Sequence, residues 1–164
     1  MRILAIDPGP EESAYVVYET MDKSLVRWAK VPNWQLRHML RDTDSHFTDC
    51  SRCIIEMIAS YGMAVGQSTF ETCVWVGRFQ EKWDSDWRNA NQAERITRGD
   101  VKLHLCHSMK AKDSNVMAAI CDRYGGDLKT AKGTKKDPGP LYGLAGDGWA
   151  ALGVAITAAE SGQK

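Results

Sequence analysis

No apolar run in this chain of 164 residues approaches the roughly 20 that a helical membrane span requires, so no membrane association is expected. Charge of neither sign is in surplus: Lys and Arg together number 21, and so do Asp and Glu. A protein that grips phosphates over its whole surface carries a basic excess. Any nucleic-acid partner here must therefore be met by positive charge gathered on one surface. Cysteine is scarce and odd in number, and five thiols cannot all pair, which suits a reducing compartment better than a disulfide framework. Cys50 and Cys53 form a CxxC, a spacing that can clamp zinc. No second CxxC exists, and Cys53 leads straight into Ile54-Ile55, so burial as ordinary thiols is the simpler reading. Asp7 and two prolines interrupt the first apolar stretch, unlike a signal peptide, and a cytoplasmic location is expected. Internal repeats are missing, and no second domain is marked, so residues 1–164 read as one domain.

What is present begins with "RILAID", a run that alternates little and reads as a buried central strand. "SAYVVYET" and "SLVRWAKV" read as the second and third strands, joined through "MDK" in an antiparallel hairpin. "NWQLRHMLR" has helical spacing, with Pro32 and Asn33 at its start. "RCIIEMI" is a fourth buried strand, and a long helix is expected from about Ala64 to about Trp83, with Phe70 in the core. "AERIT" is a short fifth strand. Thr97 then caps the helix "RGDVKLHLC", with Asp100 three positions on. Another helix spans Lys112 to Tyr124 and stops at Gly125-Gly126. From Asp127 to Gly146 the abundance of Lys, Gly and Pro predicts a long loop, and "DGWAALGVAITAAE" predicts a closing helix. A hairpin meander followed by strand–helix crossovers makes an α/β fold, a five-stranded mixed sheet with helices on both faces.

Three acids interrupt patterns that are otherwise apolar or small. Asp7 ends the first strand, Glu56 lies within the fourth, and Asp147 opens the last helix. Taken singly, each has a plain structural reading: Asp147 caps its helix, and Glu56 pairs with Arg52 or Lys102. Taken together they suggest a shared site, because a buried carboxylate needs a cation or a metal beside it. If strands one and four are neighbours, Asp7 and Glu56 converge, and the small residues Ala150, Ala151, Gly153, Ala155 and Ala158 let the last helix bring Asp147 close. Carboxylates without a local histidine favour hard cations, Mg²⁺ or Mn²⁺, over zinc. Two such ions about 4 Å apart would activate a water and stabilise the departing oxygen of a phosphodiester, with Asp7 as the bridging ligand.

The blocks "RILAIDPGP", "CIIEMIASYGMAVG" and "GDGWAALGVAIT" resemble, in order and spacing, the three acidic blocks of the RuvC-type Holliday-junction resolvases, especially phage-encoded members. The resemblance implies an RNase H-like fold, a homodimer, and Mg²⁺-dependent paired nicking of four-way DNA junctions in the cytoplasm, that of the host if phage-encoded. Carried over, Asp7, Glu56 and Asp147 fall on the metal-binding and catalytic acids. The family often has a DxxD helix, whereas Ala150 stands three residues after Asp147, so the fourth acid is missing. Water or another side chain then completes the shell, or activity is weak; His104 and His107 are side chains that could approach, though no spacing in the sequence brings them there. The segment from Val101 to Gly126 is similar to the one whose lysines approach the scissile phosphate and the DNA backbone. Lys102, Lys110 and Lys112 are its candidates, Lys112 also as a catalytic residue. Tyr61 resembles an aromatic wedge that probes the junction centre.

In the predicted loop, Lys129, Lys132, Lys135 and Lys136 are candidates for clamping a junction arm through its phosphates. Trp83 and Trp87 read as packing or dimer-contact residues. Two other functions stay open: an RNase H-like nuclease for other branched or hybrid nucleic acids, and a junction-binding protein that cleaves weakly or not at all. An actin-like kinase would need two lobes of this kind, for which the chain is too short.

Overall fold

In the computed structural model, residues 1–40, 47–59, 62, 64–86 and 91–162 are described. Five strands form one sheet in the order β3-β2-β1-β4-β5: β1 (Arg2–Asp7), β2 (Glu12–Glu19), β3 (Ser24–Pro32), β4 (Cys50–Met57) and β5 (Glu94–Thr97). The first three strands are antiparallel, and β4 and β5 run parallel to β1. The mixed sheet expected from the sequence is therefore present, with strands one and four adjacent. In β1, Ile3 and Ala5 face one apolar core while Leu4 and Ile6 face another. A central strand buried on both sides reads as a continuous apolar run, and "ILAI" is such a run.

The first core is covered by α3 (Arg98–Cys106), α4 (Asp113–Asp122), α5 (Leu128–Lys132) and α6 (Gly148–Ser161). The second is covered by α1 (Asn33–Met39) and α2 (Gln67–Asp84). Cys50 and Cys53 are free thiols buried in the second core, and burial pushes the Cys50 thiol up to about 12. Among the described residues no helix is long and apolar enough to cross a membrane.

Two expectations are corrected. Phe70 is 59% exposed, because α2 buries Thr72, Val76, Phe79 and Trp83. Those positions lie at helical spacing, and Phe70 and Val74 fall on the opposite side at 100° per residue. The stretch from Asp127 to Gly146 is not a plain loop. It contains α5, capped by Asp127, whose carboxylate accepts from the Thr130 backbone N–H at 2.8 Å. Ala131, Leu141 and Leu144 are fully buried and fasten it to the first core. Trp83 packs as expected, its indole N–H donating to the Asn91 carbonyl at 3.0 Å. Arg41, Tyr61 and Trp87 lie outside the described residues.

The turn after Asp7 is tied down from α1. Asn33, 1% exposed, donates from Nδ2 to the Gly9 carbonyl at 2.9 Å and lies 2.5 Å from the hydroxyl of Ser13. A Cβ on Gly9 would stand 2.4 Å from the Glu12 carbonyl oxygen, so only glycine passes there. Asn33→Ala would leave buried polar groups without partners. It is expected to cost about 2 kcal/mol, or a melting temperature lower by roughly 5 °C, as thermal unfolding would record.

At the far end of α6, Glu160 receives Arg123 on both oxygens at 2.8 and 2.9 Å and lies 2.6 Å from His104. Arg123 first, then His104, hold its carboxyl down at about 2. An acid depressed on folding stabilises fully above its ordinary value of 4.5 and loses that contribution as pH falls towards 2. Acid unfolding of Glu160→Gln should therefore begin from a lower stability at neutral pH, by on the order of 2 kcal/mol, and converge with the parent near pH 2.

Candidate active site

Because Ile6 pairs with Ile55 in parallel register, the next residues, Asp7 and Glu56, come side by side. Alternation puts both on the sheet face of Ile3, Ala5 and Ile54, the face that α6 covers. The ends of β1, β4 and β5 meet at this edge, where open sheets with parallel strands place their ligands. Asp147 reaches the same edge because Gly148 lets α6 descend: a Cβ there would stand 2.8 Å from the ring of Trp28 on β3. Asp147 precedes α6 but makes no side-chain cap. Its carboxylate instead accepts from Lys30 Nζ at 2.9 Å.

The electrostatics show that the three acids share one neighbourhood. Asp7 is pushed up to about 7, first by burial, then by the negative charges of Glu56 and Asp147, with Arg98 and Lys30 opposing. Glu56 is also raised, again chiefly by burial, and is held back by Arg98, whose Nη1 lies 3.5 Å from Glu56 Oε2. Arg52, one of its expected partners, binds Glu94 instead, at 2.7 and 2.9 Å. Lys102 lies within electrostatic reach of Glu56.

Each outer acid thus has its own cation, and Asp7 stands between them. Among the described residues no three His, Cys, Asp or Glu side chains form a ready-made cage for one ion. His104 is engaged by Glu160, 13 residues along α6 from Asp147 or about 20 Å along the axis, and His107 caps α3 in a left-handed conformation. Neither histidine stands in for the missing acid at Ala150.

The remaining candidates are spread more widely. Lys102 and Lys110 line a cleft of about 300 Å³ with Arg98, Gly99 and Met109. Lys112 is exposed at the N-cap of α4, where its backbone N–H donates to Asn115 at 2.9 Å. Lys129, Lys135 and Lys136 are exposed and Lys132 is half-buried. Tyr124, just before this segment, donates to the carbonyl of Lys23 in the β2–β3 turn, at the sheet end opposite Asp7. The lysine segment therefore starts at the sheet end opposite Asp7 and leads to Asp147 at the other. Sequence reading missed Lys30, Arg98 and Asp113, the last of which pairs with Arg98 at 2.8 Å.

The whole chain superposes on solved structures of Thermus thermophilus RuvC. One matches with a TM-score of 0.67 at 15% identity, covering 99% of this chain and 96% of that one. The chain has the fold of RuvC. A second RuvC structure from the same organism, in complex with Holliday junction substrate, matches with a TM-score of 0.61 at 14% identity over 99% and 96% of the two chains. No protein-family model matches the chain, and no curated protein matches its sequence. The RuvC-like, RNase H-like sheet expected from the acidic blocks is thus the observed one, with Asp7 and Glu56 side by side at one edge.

Proposed function

We propose that the chain is a structure-selective endodeoxyribonuclease that resolves four-way DNA junctions by paired nicking, working as a homodimer whose two sites face two symmetric strands. The observation that carries this reading is that Asp7, Glu56 and Asp147 share one edge of a RuvC-like sheet, with Asp7 raised to about 7 first by burial and then by its acidic neighbours. Mutual repulsion of this kind is relieved by a divalent cation, and an all-carboxylate donor set suits Mg²⁺ or Mn²⁺. Asp7 and Glu56 would hold it from the sheet and Asp147 from α6, with two ions per site as the working expectation. When bound, such ions supply a more acidic water and stabilise the departing oxygen.

The protein's own groups then have separate tasks. Asp7 must lose its proton to act as a ligand, and Glu56 and Asp147 must part from Arg98 and Lys30. Lys102, near Glu56, is placed to offset charge on the phosphate, and Lys112 and the lysines of the 127–146 segment can extend the contact along a DNA arm. Tyr61 is assigned the wedge at the junction centre, where bases are already partly unstacked.

A panel of four-way, three-way, flap, linear duplex and RNA–DNA substrates tests the reading. Symmetric nicks confined to the four-way junction are expected in Mg²⁺ or Mn²⁺. A preference for another substrate would favour a related RNase H-like nuclease. Tight junction binding without nicks would identify a binding protein, consistent with Ala150 in place of a fourth acid.

A further inference from the structure

The cleft beside Glu56 is lined by three cations together with Gly99 and Met109: Arg98 opens α3, Lys102 follows one turn later, and Lys110 lies in the connection to α4. Asp113, the first residue of α4, sits at its edge. One oxygen of Asp113 faces both cations of α3, Arg98 Nη2 at 2.8 Å and Lys102 Nζ at 3.6 Å. Asp113 is itself 76% exposed, so its carboxylate is not locked in place by packing. Lys110 is exposed and makes no ion pair among the described residues. Arg98 completes the arrangement by reaching Glu56 with its other nitrogen, at 3.5 Å.

We propose that this cleft is a binding site for a backbone phosphate of the nucleic acid, and that Asp113 is the counter-ion the phosphate displaces. The inference rests on the nucleic-acid function proposed above, with Lys102 and Lys110 already candidates for DNA contact, and adds Arg98 as their partner and Asp113 as a control residue. A phosphate offers the same planar pairing to a guanidinium that a carboxylate does, and more oxygens for the two lysines. It can therefore take the place of Asp113 on Arg98 and Lys102 while recruiting Lys110. The exposed carboxylate makes weak or misplaced phosphates compete for the cleft, so Asp113 trades affinity for selectivity. Arg98 joins the cleft to Glu56, so a phosphate drawing Arg98 towards itself also frees Glu56.

Binding of a four-way junction, measured without divalent cations across a salt series, tests this. Asp113→Asn is expected to tighten binding about three- to tenfold at low salt and to steepen the salt dependence by about one phosphate contact. Asp122→Asn, which removes another exposed carboxylate from the other end of α4, should change affinity by less than about twofold. Lys110→Ala, an exposed position that leaves the fold alone, should weaken binding and lower the slope by about one. Equal effects of Asp113→Asn and Asp122→Asn would reduce the matter to net charge and overturn the site. Binding indifferent to both Asp113 and Lys110 would overturn the site and leave the nuclease reading intact. Failure of every form to bind DNA would overturn both.

Discussion

Asp7→Asn is expected to abolish strand cleavage and, at the same time, to raise the stability of the metal-free protein at neutral pH. The loss of cleavage follows from position. Asp7 is the central acid, flanked by Glu56 and Asp147, and asparagine cannot supply the negative oxygen that a hard cation prefers. The loss should be on the order of a thousandfold or more, since metal stabilisation of the transition state amounts to several kcal/mol. The gain in stability follows from linkage. Burial, Glu56 and Asp147 raise the carboxyl from its ordinary 3.8 to about 7. Between those values the folded protein binds more protons than the unfolded chain, so stability falls as pH rises, and the full cost is present above about pH 7. Removing the charge should recover on the order of 2–4 kcal/mol at pH 8 and almost nothing near pH 4. Thermal melts of both proteins at the two pH values, in chelator, provide the check.

Arg98→Met is expected to act in the opposite sense on stability. Glu56 is 15% exposed and Arg98 29%, so neither charge is well hydrated. Taking away the cation leaves a mostly buried carboxylate with its pKa driven further up, at a cost of about 3 kcal/mol. Cleavage should fall as well, because a protonated Glu56 is a poor ligand. Higher pH should restore part of it. Lys30→Met offers the contrast: that pair is 43% and 53% exposed, so stability should change by no more than about 1 kcal/mol. Its effect should be a lower divalent requirement for cleavage, since Lys30 competes with the ion for Asp147. Urea unfolding and cation titrations of cleavage separate the two behaviours.

Much of the frame could be read from local pattern. "RILAID" and "RCIIEMI" announce buried strands by unbroken apolar runs, and the Thr97–Asp100 capping box is present as its spacing suggests, with the Thr97 backbone N–H donating to Asp100 at 3.0 Å. The adjacency of Asp7 and Glu56 follows once β1 and β4 are neighbours, which their shared burial makes reasonable. Phe70 reads as core yet is exposed because α2 is weakly amphipathic, with Phe70, Val74 and Trp75 competing against Val76, Phe79 and Trp83 for the apolar face. The segment after Asp127 reads as a loop from its Lys, Gly and Pro. Its anchors are three isolated residues, Ala131, Leu141 and Leu144, which show no periodicity.

The cations of the site were hidden for another reason. Lys30 is two strands away from Asp7, reaching the same edge only because it faces Ala14, which in turn faces Asp7. Arg98 meets Glu56 across a gap of 42 residues and Asp113 across 15. Such pairings depend on strand order and helix packing, and no spacing in the sequence signals them. Gly148 had a readable signal, a glycine beside a candidate ligand, and its meaning appears only with Trp28 against it.

Convergence of the three acids on a divalent ion is tested most directly by Mn²⁺ binding to the protein without DNA, followed by calorimetry at pH 6 and pH 8. Binding should be tighter at the higher pH, should release protons as Asp7 ionises, and should be lost in Asp7→Asn. Equal Mn²⁺ binding by the parent and by Asp7→Asn, or none by the parent at either pH, would contradict it.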